Sequence, residues 1–146
     1  MTTTVPVKIK LFDSTLPVPE YHSSQAAGFD FYSRLDLTLP AHQVTLVPTG
    51  VAMSYPSSYW LLIAARSSLH KLGLQPINGI GVVDPDYCGD NDEIRLLIYN
   101  FSNQTVKIKK GDRLAQGVLV SRTKAKFTIV PHLQHPNRGG LGSTGQ

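Results

Sequence analysis

The sequence predicts an all-β domain of many short antiparallel strands, arranged as a sandwich, a jelly roll or a barrel. Three observations carry this. Apolar and polar residues alternate along most of the chain, the period of a half-buried strand. Gly, Pro, Asn and Asp recur between the alternating runs, where they turn or break strands. A length of 146 residues, 41% hydrophobic and 16% charged, suits one domain with a core of its own.

Taken in order, Val5, Val7, Ile9 and Leu11 predict the first strand, Leu35, Leu37 and Leu39 the next, and Val44 with Leu46 a third. Further strands are predicted at 51–54, 59–65, 94–101, 106–108, 114–121 and 126–130. One short helix is predicted over Ser67 to Leu72, with Ser67 or Ser68 as its cap and Gly73 as its stop. Residues 76–89, PINGIGVVDPDYCG, read as a hairpin whose alternating glycines let the backbone approach a ligand closely. The end of the chain, PNRGGLGSTGQ from Pro136 to Gln146, has no apolar pattern, and taken alone it reads as a disordered end.

The charge balance narrows the partners. The net charge is +4, and nine of the fourteen cations lie from Arg95 onward, so the C-terminal third favours anions such as phosphates. The cations are too scattered for a nucleic-acid binder, which carries a dense basic stripe with aromatic platforms. Cys88 is the only cysteine, which excludes an internal disulfide and a multi-cysteine zinc site and suits a reducing cytosol. No run reaches the length of a membrane span and no apolar leader is present, so a cytoplasmic protein that binds no membrane is expected. His22, His42, His70, His132 and His135 have no metal-ligand spacing.

Two places can carry chemistry. Asp84, Asp86, Asp90, Asp92 and Glu93 fall within ten residues. Asp90, Asp92 and Glu93, set among polar residues, read as a solvated turn as readily as a site. Asp84, directly after Gly-Val-Val, is the best general base, being ionised at neutral pH and able to take a proton from water. Tyr87, three residues on, has packing as its ordinary role but can also press on a flat or sugar-like group. Arg66, Ser67 and Ser68, where a strand meets the helix, offer a forked cation, two hydroxyls and free N–H groups to one anion. An ordinary cap with a surface arginine remains the plain alternative. The tail's GGLGSTG offers a second phosphate seat, although it is no Walker A loop.

Together these segments resemble the trimeric dUTP diphosphatase (dUTPase) family. The resemblance runs in order through LPVPEY, AAGFDFYS, PTGVAM, ARSSLHKLGL, NGIGVVDPDYCG, KKGDRLAQ and GGLGSTG. It implies an antiparallel jelly roll of the β-clip type with one short helix, assembled as a homotrimer. Residues 1–135 would be the jelly-roll domain, and 136–146 a tail closing over a site formed by neighbouring copies. The implied activity is hydrolysis of dUTP to dUMP and pyrophosphate with Mg²⁺ as cofactor. The ion would be held by substrate phosphates and water rather than by the protein. Such an enzyme keeps uracil out of DNA and supplies dUMP for thymidylate synthesis.

Residue by residue, the resemblance makes Asp84 the water-activating base and Tyr87 the ring against deoxyribose. Asn78 and the backbone of Gly81, Val82 and Val83 match the uracil pocket, with Arg95 at its rim. Arg66, Ser67, Ser68 and Gln116 match phosphate contacts. Asp30 is implied to organise Arg66 or metal-bound water from behind. Leu141, Gly142, Ser143 and Thr144 match the part of the tail that covers the nucleotide, with Leu141 where the family has a phenylalanine. Pro136 holds the place of the tail arginine, and Arg138 lies two positions later. Asp90 to Asp92 extend the turn after Gly89, leaving Glu93 to Asn100 as the next strand, and Ala65 stands for a proline before Arg66.

Two other readings are weaker. The related dCTP deaminases share RSSL and a Gly-Val-Asp-Pro hairpin, but Leu97 stands where their glutamate would be. A nucleotide-binding regulatory module is opposed by the presence of Asp84.

Overall fold

The computed structural model describes residues 4–140. Within them lie β1 (Lys8–Leu11), β2 (Phe29–Tyr32), β3 (Leu37–Leu39), β4 (Val44–Pro48), β5 (Val51–Ser54) and β6 (Tyr59–Ala65). A 3₁₀ turn (Leu69–Leu72) follows, then β7 (Leu74–Pro76), β8 (Gly81–Val83), β9 (Arg95–Asn100), β10 (Val106–Ile108) and β11 (Arg113–Ser121). All pairings are antiparallel. The larger sheets run β2-β11-β6-β8 and β4-β9-β7, and β1-β5 and β10-β3 are separate pairs. Among the described residues no two consecutive strands pair. The chain crosses between layers at each step, as in a jelly roll.

Most of the alternating runs fall on strands, and where a strand has one face in the core and one outside the alternation follows from that burial. In β9 the pattern is strict: Leu96, Ile98 and Asn100 are buried while Arg95 and Leu97 are exposed. Two strands were not anticipated. All four residues of β2 are buried, so it shows no alternation, and β7 has only three residues. Phe29 and Phe31 of β2 stack edge to face at 5.5 Å over Gly117, which pairs with Phe29 in the ladder. A Cβ at Gly117 would come within 2.7 Å of Phe31 and 2.8 Å of Phe29, so only glycine lets these rings lie on β11.

Three expectations are corrected. The predicted helix is a single 3₁₀ turn, Leu69–Leu72. Ser68 stands at its cap position without a side-chain hydrogen bond, and Gly73 ends it in the left-handed region at φ 73°. Residues 76–89 do not close a paired hairpin: β7 bonds to β9 and β8 to β6, so the turn between β7 and β8 carries the chain from one sheet to the other. Residues 126–130 are not a strand. Phe127, Ile129 and Leu133 are 91%, 101% and 81% exposed, so these apolar side chains of the irregular run gain almost no cover among the described residues.

Gly117→Ala is expected to destabilise the fold by about 2 kcal/mol, since the buried rings can yield only by leaving their rotamers. A urea titration compared with the parent checks this; an unchanged midpoint would mean that the rings repack freely.

Candidate active site

The sequence-derived residues gather in two clefts with no lining residue in common. The first, of about 230 Å³, is lined by His22, Gly28, Asp30, Arg66, Ser67, Arg113 and Gln116, with Ala26 at its edge. Asp30 lies on β2, Arg66 and Ser67 directly after β6, and Arg113 and Gln116 on β11, the strand between them in the sheet. In a regular strand residues three apart point to opposite faces. The register shift between Arg113 and Ala115 inserts a bulge that turns both side chains to the same cleft.

Asp30 is the hub of this cleft. Its Oδ1 lies 3.2 Å from Arg66 Nε. Its Oδ2 accepts a hydrogen bond from Arg113 Nη1 at 3.3 Å and lies 3.1 Å from His22 Nε2. Glu20 stands 3.6 Å beyond, against His22 Nδ1. Burial, with Glu20 and Asp30 nearby, also pushes the Tyr32 phenol above its ordinary range. Gln116 is fixed by donating from Nε2 to the Ala65 carbonyl at 3.1 Å. Two guanidiniums around one carboxylate leave a positive surplus that suits an anion. Arg113 and His22 were not singled out from the sequence. Arg113 lies in the same KKGDRLAQ segment as Gln116, but without the bulge its side chain would face the other way.

The second cleft, of about 300 Å³, is lined by Val82, Val83, Asp84, Tyr87, Glu93, Ile94 and Arg95. Asp84 follows β8, and its carbonyl accepts from the Tyr87 N–H at 3.1 Å, so a tight turn brings the carboxylate and the ring to the same cleft. Tyr87 is fixed at its far end, its hydroxyl donating to the Glu93 carbonyl at 3.0 Å. Arg95 reaches to 3.9 Å from Glu93.

Glu93 corrects the solvated-turn reading. It is 3% exposed. Arg34 donates to both its oxygens, from Nε at 2.8 Å and Nη2 at 3.1 Å, and Gly50 N–H donates to Oε1 at 2.8 Å. This pair holds the Arg34 guanidinium above its ordinary value. Asp90 does face solvent, and Asp92 is half-buried. Asp92 accepts from the Gly89 N–H at 2.7 Å, and Lys10 donates to the Asp90 carbonyl at 2.7 Å, so the extra residues form a closed turn tied to β1.

Other residues lie outside these clefts. Asn78 is exposed in the turn before β8, its carbonyl accepting from Ile80 N–H at 2.8 Å, and Ser68 is exposed. Gly81 packs against Ile63, where a Cβ would come within 3.1 Å. Arg138 is exposed in the irregular run. Leu141, Gly142, Ser143 and Thr144 lie outside the described residues. A larger cleft, about 490 Å³, between His70–Gly73 and Ser102–Val106 holds none of the expected residues, so the chemistry of the lining singles out the two smaller ones.

Among the described residues no group of three or more His, Cys, Asp and Glu stands close enough to hold a metal ion. Asp30, the carboxylate of the first cleft, already has both oxygens engaged by cationic or ring nitrogens. Magnesium would therefore fit here as part of a bound polyphosphate, on its oxygens and water. No helix among the described residues is long and apolar enough to cross a membrane.

Comparison with known proteins bears on all of this. A family model described as dUTPase matches residues 14–145. The deoxyuridine 5'-triphosphate nucleotidohydrolase of Zymomonas mobilis is 41% identical over 135 residues, 90% of each chain. The crystal structure of dUTPase from Streptococcus mutans is 30% identical with a TM-score of 0.74, over 82% of this chain and 98% of that one. The G164S mutant of the Staphylococcus bacteriophage 80alpha dUTPase with dUpNHpp, at 22% identity, shares the fold with a TM-score of 0.83 over 97% of this chain and 99% of that one.

Glu93→Gln is expected to cost about 2 kcal/mol of stability, because it leaves the half-buried Arg34 guanidinium without its charged partner. Thermal and urea unfolding check this; a loss under about 0.5 kcal/mol would class the pair with surface ion pairs.

Proposed function

The chain belongs to the dUTPase family, and on that premise we propose that it hydrolyses dUTP to dUMP and pyrophosphate at sites built between copies of itself. The observation that carries this reading is the division of the expected residues into two clefts. Arg66, Ser67 and Gln116 line one, and Asp84 and Tyr87 the other. Each is at or below the lower end of ligand-pocket volumes, while a nucleoside triphosphate needs both chemistries at once. A homotrimer in which the first cleft of one copy faces the second cleft of its neighbour brings them together. In a closed ring this yields three equal sites. The exposed apolar side chains of Phe127, Ile129 and Leu133 support such an assembly, since a neighbouring copy would cover them.

In this reading Arg66, Ser67, Ser68 and Gln116 hold the phosphates, and Asp30 fixes the direction of Arg66. A magnesium ion held on the substrate's phosphate oxygens would neutralise part of their charge. The Asp84 carboxylate takes a proton from a water molecule. The water oxygen bonds to the α-phosphorus, and the bond from that phosphorus to the bridging oxygen breaks, releasing pyrophosphate. Tyr87 presses on the deoxyribose, where a 2′-hydroxyl would be crowded or left without a partner. Asn78 and the backbone of Gly81 to Val83, with Arg95 at the rim, read the pyrimidine edge. Cytosine reverses part of that pattern and thymine adds a methyl group, so both are disfavoured.

The tail from Pro136 completes the proposal. Gly142, Ser143 and Thr144 close over the phosphates and exclude water. Leu141 gives an apolar lid without aromatic stacking, and Arg138 reaches the terminal phosphate from its shifted position. The enzyme would act in the cytoplasm, on the nucleotide pool from which uracil enters DNA and from which dUMP feeds thymidylate synthesis.

Pyrophosphate release with Mg²⁺ across dUTP, dCTP, dTTP and UTP tests the reading, and turnover of dUTP alone is expected. Asp84→Asn is expected to lower kcat by at least about 10²-fold while a nonhydrolysable dUTP analogue still binds. Near-normal kcat in that variant would overturn the assignment of the base.

A further inference from the structure

A buried side chain that none of the site motifs includes reaches the backbone of the second cleft. Tyr55, directly after β5, packs in the hydrophobic core. Its hydroxyl donates to the Val83 carbonyl at 3.0 Å and lies 3.4 Å from the Asp84 carbonyl. These two carbonyls flank the Asp84 Cα on either side. A phenol against both fixes the two peptide planes that set the direction of the Asp84 Cα–Cβ bond.

The support matters because of where Asp84 sits. β8 is only three residues long and forms the edge of its sheet. It is laddered on one side alone, through Gly81, Val82 and Val83 against β6. A short edge strand is among the easiest parts of a sheet to open, and Asp84 is the first residue beyond it. Tyr55 is itself anchored. The turn that follows it closes with the Tyr59 N–H on the Pro56 carbonyl at 3.0 Å. Arg122 grips the same turn, its N–H on Ser58 and its Nε on Ser57, each at 2.8 Å. Burial pushes the phenol further above its ordinary range, with the Leu61 backbone amide pulling it partly back, so the hydroxyl remains a donor at neutral pH.

We propose that Tyr55 is a positioning residue for the reaction: its hydroxyl aims the Asp84 carboxylate at the attacking water without touching the substrate. The proposal rests on the reading of Asp84 as the base. It assigns a part in the reaction to a residue that sequence reasoning passed over, since an aromatic residue after a strand ordinarily signals packing alone.

Tyr55→Phe removes the hydroxyl and keeps the ring in the core. The expected result is a fall in kcat of about tenfold, the size of effect that a small misalignment of a reacting group produces. KM for dUTP and the affinity for a nonhydrolysable analogue should change by clearly less than kcat, because Tyr55 makes no substrate contact itself and the ladder to β6 still holds Gly81 to Val83. A kcat within about twofold of the parent would overturn the proposal. So would kcat and affinity falling together with the melting temperature, which would make Tyr55 a packing residue only. Asp84→Asn measured alongside separates the two failures. If that variant keeps its turnover, the general-base reading is wrong. If it is inactive while Tyr55→Phe is fully active, only the role of Tyr55 falls.

Discussion

A carboxylate taken out of water has to be met by cations and donors or the fold does not tolerate it. This chain meets that constraint twice, and each time the solution shapes one of the two candidate clefts. Around Glu93 the answer is Arg34 and the Gly50 amide. It stitches the β4–β5 corner to the start of β9 and leaves the Glu93 carbonyl to receive the Tyr87 hydroxyl. Around Asp30 the answer is Arg66, Arg113 and His22, which turns two side chains of opposite reach toward one cleft. The charges were needed to satisfy burial, and their surplus at the cleft mouth is what an anion would find.

The topology keeps the two halves apart. Strands adjacent in space are never adjacent in sequence among the described residues, and the first cleft draws on distant parts of the chain, whereas the second is lined by residues 82–95 alone. β11 and β2 supply the anion-facing cleft, with Arg66 arriving at the end of β6. β8 lies at the far edge of the same sheet and carries Asp84. One copy therefore offers the residues proposed to hold phosphate in one place and the candidate base in another. The exposed apolar run beyond Ser121 is the feature of the described chain that most needs another molecule.

How much of this was legible depended on whether a residue's environment is local. A half-buried strand such as β9 announces itself by alternation. β2 does not, because Phe29, Asp30, Phe31 and Tyr32 are all buried. Residues 126–130 alternate like a strand yet form none within the chain, since a strand needs a partner that the sequence of one copy does not name. Glu93 looked like part of a solvated turn because its partner Arg34 is 59 residues away. The candidate residues themselves were read from their motifs. The bulge that brings Arg113 beside Gln116, and the phenol of Tyr55 behind Asp84, depend on register and packing that no motif records.

The claim at the centre of this account is that neither cleft is a complete site within one copy. Subunit mixing tests it most directly. Arg66→Ala and Asp84→Asn chains, each inactive alone, would be refolded together and the mixed oligomer verified by mass. If each site takes Asp84 from one copy and Arg66 from another, random assortment should restore about a quarter of parental dUTP turnover. Mixed oligomers that form but stay inactive would contradict the account and require both clefts to act within a single chain.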